Sequence, residues 1–177
     1  LIMKKKRPVI FGCIGVLGLC SALLISWLLP LRDDCRVTVL DVGQGQSIIL
    51  QSEGRTFLVD CGGSYEEDAA DLAAEKLLSM GISRIDGLIL THYDTDHAGA
   101  VLNLLTSVGA DKIYMPDRGD SNGIREELLQ THAGKISLIS GISELPISSG
   151  KITLYPGNDG LDDNESSVCV LFQTENC

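Results

Sequence analysis

At 177 residues the chain has room for about one domain, and 44% apolar residues suffice to bury a core of that size. Its 24 acidic against 14 basic residues give a net charge of −10; without the basic group Lys4, Lys5, Lys6 and Arg7, ten cations face the same 24 acids, which is −14. Such a surface repels phosphate backbones, so a simple electrostatic nucleic-acid binder is excluded, and DNA would have to be engaged through metal, a local basic groove or other parts of a larger protein.

The first element is "VIFGCIGVLGLCSALLISWLL", Val9 to Leu29, which carries no charge and follows the KKKR group. Its length predicts one membrane-spanning helix. A cleaved signal peptide would need a shorter apolar region and an A-x-A-like site. With the basic residues on one side only, the N-terminus is expected in the cytoplasm and everything after Leu31 outside. Trp27 fits an interfacial anchor near the outer end.

Next, "RVTVLDV", "SIILQS" and "RTFLVDC" are short runs rich in β-branched residues, separated by "GQGQ" and "EGR". They predict an antiparallel meander. "SYEEDAADLAAEKLLSMG" has Ala69, Leu72, Ala73, Leu77 and Met80 at helical spacing, Ser64 and Glu67 as a capping box, and Gly81 as the stop. Strand "IDGLIL", helix "HAGAVLNLLTSVG", strand "KIYMP", helix "GIREELLQTHAG" and strand "KISLIS" then alternate, with final strands around "KITLYP" and "SSVCVLFQ". That order predicts an α/β layered domain. "PGNDGLDDNESS" reads as a loop.

The six cysteines show no C-x-x-C spacing and form no zinc framework. Cys13 and Cys20 lie in the apolar helix; Cys61 and Cys169 are expected as buried thiols within apolar strands. An extracytoplasmic domain could oxidise a pair, and the sequence selects none.

Two of the three histidines fall in "THYDTDHAGA", residues 91–100, directly after a buried strand and before a helix. Strand-end loops are where α/β sheets bind ligands. Imidazoles and carboxylates at this density, His92, Asp94, Asp96 and His97, suit a divalent ion such as Zn²⁺ or Mn²⁺. The competing reading is a polar loop in which Asp96 caps the next helix. His132, alone near the end of a short helix, is expected as an ordinary helix-end residue.

"THYDTDHAGA" resembles the H-x-H-x-D-H signature of the metallo-β-lactamase fold, with "FLVDCGG" similar to that fold's earlier strand ending in Asp-Gly. More narrowly, "VTVLDVGQGQSIIL", "GRTFLVDCGGS" and "NESSVCVLF" resemble the C-terminal domain of the ComEC/Rec2 competence proteins, membrane channels that admit DNA in natural transformation. The resemblance covers about residues 36 to 173. It implies the N-terminal part of an αββα sandwich preceded by one transmembrane helix, with residues 1–32 as flank and span and 33–177 as an incomplete metallo-β-lactamase-like domain.

It also implies roles. His92 and Asp94 would serve a first metal, Asp94 standing where many members have His, and Asp96 and His97 a second, with Asp96 also catalytic beside the attacking water. Asp60 would orient the metal loop, and Asp41 would lie on the floor near the site. A further "TGD"-like strand and a later His belong to the family pattern and do not occur here, and Asn164 and Ser167 replace neither. The implied activity is metal-dependent hydrolysis of DNA phosphodiesters at the outer face of the membrane, beside the rest of a membrane channel, with the present chain weak or inactive. Hydrolysis of a thioester or lactam, and an inactive remnant, are the alternatives.

Overall fold

In the computed structural model the described residues are 7–28, 35–64, 66–147, 150–157 and 166–174. The chain divides into two compact units, Leu1–Asp33 and Asp34–Cys177. In the first, helix α1 runs from Arg7–Leu28. Among the described residues, however, no helix is long and apolar enough to cross a membrane, which overturns the expected span. The residues of α1 include Gly12, Gly15, Gly18 and Ser21, which add little apolar surface. The KKK group, the side chains of Trp27 and Glu67, Asn164 and Cys177 lie outside the described residues, and with them the basic flank, the anchor and the capping box.

The second unit opens with β1 (Arg36–Val39), β2 (Ile48–Ser52) and β3 (Arg55–Val59), which pair antiparallel as the meander expected. Helix α2 (Glu66–Ser79) returns the chain to β4 (Arg84–Ile89), parallel to β3. The segment expected as one helix after β4 is two, α3 (Thr95–Ala98) and α4 (Val101–Ser107). Strand β5 (Gly109–Pro116), helix α5 (Ile124–His132), a short 3-10 turn at Ala133–Lys135 and β6 (Ile136–Ile139) complete a six-stranded sheet in sequential order. A second sheet has β7 (Ser143–Ile147), β8 (Gly150–Tyr155) and β9 (Cys169–Thr174).

Strand alternation builds two cores. Leu58 and Leu88 face one way, onto Ala69, Ala73 and Leu77 of α2, Leu104 of α4 and Leu128 of α5. Their neighbours Phe57, Val59 and Ile89 face the other way, onto Ile147, Ile152 and Leu154 of the second sheet. The result is helix, sheet and sheet in layers, the α/β arrangement that the sequence predicts. Cys61 is buried, but Cys169 is exposed. The alternation along β9 turns that residue outward, so the expected buried thiol is corrected.

Candidate metal centre

The parallel register Val59↔Ile89 brings the ends of β3 and β4 side by side, and the next residues, Asp60 and Leu90, continue the pairing through Asp60 N–H to the Ile89 carbonyl at 2.9 Å. Asp60 is fully buried and holds a left-handed φ of 58°. A buried carboxylate is costly unless its oxygens are filled by donors. Here Oδ1 accepts the Thr91 N–H at 2.8 Å, while Oδ2 accepts the Thr91 hydroxyl at 2.6 Å and the Gln46 side-chain amide at 3.0 Å. His97 Nδ1 lies 2.8 Å from the same Oδ2, and His92 Nδ1 lies 3.0 Å from Thr91 Oγ1.

These contacts set the tautomers. A carboxylate only accepts, so the proton of neutral His97 sits on Nδ1. The Thr91 hydroxyl gives its proton to Asp60 and therefore accepts from His92 Nδ1–H. Both imidazoles are left with the Nε2 lone pair directed elsewhere, as metal-ligating histidines require. His92 Nε2 is buried and has no hydrogen-bond partner among the described residues; its nearest carboxylate, Asp94 Oδ2, is 3.6 Å away, beyond hydrogen-bond reach. The two rings pack with centroids 4.0 Å apart.

One ligand atom from each of His92, Asp96 and His97 lies within 4.8 Å of the others. Two nitrogens and a carboxylate, one nitrogen buried without a partner, fit a divalent ion. Asp94 stands at the N-cap of α3 without a side-chain cap bond, and Asp96 lies in that helix's first turn. The cap reading therefore finds no support in the bonds present. Asp41 is exposed and lines a groove of about 410 Å³ with Leu72 and Lys76 of α2. His132 ends α5. Ser167 lies just before β9.

Burial lowers the pKa of His92, and the neighbouring His97 charge lowers it further against the pull of Asp60, Asp94 and Asp96. Burial also acts to lower that of His97, but the hydrogen bond and charge of Asp60, with Asp96 and Asp94, outweigh it and raise the pKa. One ring thus favours the neutral, ligating form and the other retains its proton longer.

Glycine forms the floor. A Cβ on Gly62 would stand 2.4 Å from the Asp96 carbonyl carbon and 2.5 Å from His97 N, and one on Gly45 would stand 2.6 Å from the Asp96 oxygen. Backbone bonds from Gln46 N–H to Asp96 and from Cys61 N–H to His97 carbonyls, at 2.9 and 2.8 Å, need that approach. Thr91 and Gln46 carry no role in the sequence reading. A hydroxyl next to a ligand histidine at a strand end is a usable signal for Thr91; nothing local marks Gln46.

Fold and loop together define the metallo-β-lactamase superfamily, whose family model matches residues 40–164. The chain belongs to it. Within the superfamily it is similar to curated competence proteins, as a ComEC/Rec2 metallo-β-lactamase domain would be. Recombination protein 2 of Haemophilus influenzae is 29% identical over 66% of this chain and 15% of its own length. ComE operon protein 3 of Bacillus subtilis is 31% identical over 63% and 16%. Competence protein ComA of Neisseria gonorrhoeae is 34% identical over 38% and 10%. The chain thus matches about a sixth or less of the length of these relatives. Among solved structures, metallo-β-lactamase SMB-1 with mercaptoacetic acid superposes with a TM-score of 0.54 at 18% identity, covering 81% of this chain and 57% of that one. A peroxy diiron species of the chemotaxis sensor ODP gives 0.54 at 18% identity, covering 78% and 55%. These likenesses concern the fold alone.

Proposed function

We propose that this chain is the metal-dependent hydrolase domain of a DNA-uptake protein and acts on DNA phosphodiester bonds. The observation that carries the reading is the pair of imidazoles whose Nδ1 atoms are held by Thr91 and Asp60, which leaves their Nε2 atoms for a ligand, in a cluster where one ligand atom each of His92, Asp96 and His97 lies within 4.8 Å of the others. The competence-protein relatives support DNA as the substrate class. His92, His97 and Asp96 would hold the ion, with Asp94 beside His92. Two nitrogens with carboxylate oxygens suit Zn²⁺ or Mn²⁺.

A divalent ion at such a site supplies Lewis acidity toward a phosphoryl oxygen and a nucleophilic water at neutral pH. The protein's own part is orientation. Asp60 and Thr91 fix both tautomers before substrate arrives, and the helix α3 backbone presents Asp96 on the same side as His97. Asp96, half-buried and without a capping task, is placed to accept a proton from water. We also propose that the domain works at the outer face of the membrane, as a part of a longer channel protein; a reporter fused after Cys177 and active only in the cytoplasm should stay silent, and its activity there would refute the placement.

The test of the chemistry is direct. Supplied with Mn²⁺ or Zn²⁺, the chain should cleave single-stranded DNA, if slowly, and His97→Ala should abolish the cleavage. Turnover of a thioester or lactam in its place, or turnover indifferent to His97, would overturn the reading.

A further inference from the structure

The turn "GQGQ" between β1 and β2 lies against the metal loop, and its last residue is bonded to three parts of the centre. We infer that Gln46 is a positioning residue of the metal centre: its side-chain amide locks the Asp60 carboxylate that aims His97, while its backbone holds the Asp96 carbonyl. The inference deepens the hydrolase reading and rests on its metal centre.

The turn is shaped for close approach. Leu40 N–H donates to the Ser47 carbonyl at 3.0 Å and closes it, Gly43 takes a left-handed φ of 74°, and Gln44 N–H donates to Ser64 Oγ at 2.8 Å. A Cβ on Gly45 would stand 2.5 Å from Gly63 Cα, so the absence of a side chain lets the turn lie on the Gly62–Gly63 backbone. Gln46 follows directly. Its N–H donates to the Asp96 carbonyl at 2.9 Å, and its carbonyl accepts the Gly62 N–H at 3.2 Å. The segment after Asp60 and the turn of helix that carries Asp96 are thereby joined through one residue.

The side chain acts on the aim. Asp60 Oδ2 meets the Thr91 hydroxyl at 2.6 Å, His97 Nδ1 at 2.8 Å and Gln46 Nε2 at 3.0 Å, while Oδ1 accepts the Thr91 N–H at 2.8 Å. Both Thr91 donors come from the end of β4, so without Gln46 the carboxylate would be held from β4 alone, apart from the ring that it orients. Because Asp60 is fully buried, bulk water does not fill the vacated position. A carboxylate only accepts, so the amide nitrogen faces it. The amide also adds no charge; a lysine or arginine in its place would set a cation beside a centre that must attract a divalent one.

The experiment uses the full chain with Co²⁺ as the probe ion and Gln46→Met as the variant, which keeps a side chain of similar length and the backbone bonds but has no donor. Co²⁺ affinity should fall about tenfold, the lower end of what losing a partner that orients a ligand costs. The visible absorption of the bound ion should change as well, which lost stability alone does not produce. Gln44→Met, an exposed side chain in the same turn, should alter neither. In the metal-free wild-type chain, nitrogen NMR shifts should show His97 protonated at Nδ1, and a Gln46 side-chain amide proton should exchange slowly with solvent; this measurement decides even where the variant does not fold. Rapid exchange of both amide protons, unaltered affinity and absorption in a folded Gln46→Met, an equal effect of Gln44→Met, or a wild-type chain that binds no Co²⁺ would each overturn the inference. Cleavage of single-stranded DNA is followed separately. If nothing is cleaved but Co²⁺ binding depends on Gln46 in this way, the positioning role stands and the hydrolase reading fails. If cleavage depends on His97 while Gln46→Met binds Co²⁺ as the wild type does, the inference fails and the hydrolase reading stands.

Discussion

The two ends of the parallel strands treat polar side chains in opposite ways. At the C-terminal end, Asp60, Thr91 and His92 are buried, and the Asp60 carboxylate is surrounded by donors from Thr91, Gln46 and His97. At the N-terminal end, Arg84 pairs with Asp111 at 3.1 Å with both side chains more than half exposed. Exposed ion pairs add little stability, whereas a buried polar group must be fully bonded or it destabilises the fold. Side-chain geometry held by buried hydrogen bonds is therefore concentrated at one end, where a metal would need it.

The contrast is broken most severely by Asp60→Ala. It removes the acceptor from four donors at once, and a loss of about 3–5 kcal/mol is expected. Urea unfolding measures this; a loss under about 1 kcal/mol would mean that water replaces the carboxylate at no great cost. Gly62→Ala comes next. Its Cβ has no room against the Asp96 and His97 backbone, so the metal loop must shift, at about 1–3 kcal/mol. Divalent affinity should fall by more than the stability change, and calorimetric titration separates the two.

The third test is pH. Sign follows from the two shifts. His97, raised above 6.5, stabilises the metal-free fold below that value and loses the contribution as pH rises through its folded pKa. His92, lowered from 6.5, stabilises it above that value and loses the contribution as pH falls through its own. Metal requires both rings neutral, so the proton competes first at His97, beginning above pH 6.5. Below His97's pKa, apparent affinity should drop about tenfold per pH unit, and more steeply once His92 also titrates. A flat titration from pH 7.5 to 6 would exclude His97 as a ligand. Smallest of all, Arg84→Ala should change stability by less than ~0.5 kcal/mol, which a thermal melt can check. A larger loss would erase the difference between the two ends.

Much of this was legible because it is local. "THYDTDHAGA" marks the loop by density alone, and the meander and the strand–helix alternation follow from period and punctuation. Asp60 required the resemblance, since its partners lie 31 and 37 residues away. Gln46 was illegible for the same reason. Strand β7 escaped because "SELPI" holds Pro146, which cannot donate to a ladder; the strand tolerates it at the edge of its sheet. The membrane span was overcalled from an uncharged run: no described helix is long and apolar enough to cross a membrane.

His92 and His97 are five positions apart, yet both are aimed from Asp60, which reaches them only after α2 and the β3–β4 pairing have closed a loop of about thirty residues. In a denatured chain the same imidazoles and carboxylates stay within a few residues of one another and can still capture an ion loosely. Metal then binds the unfolded ensemble as well as the native one, so the gain in midpoint on adding ion falls short of what the native affinity alone would give. Refolding started with ion present would begin from a chain already clipped at that loop, with correct aim arriving only when the distant carboxylate docks.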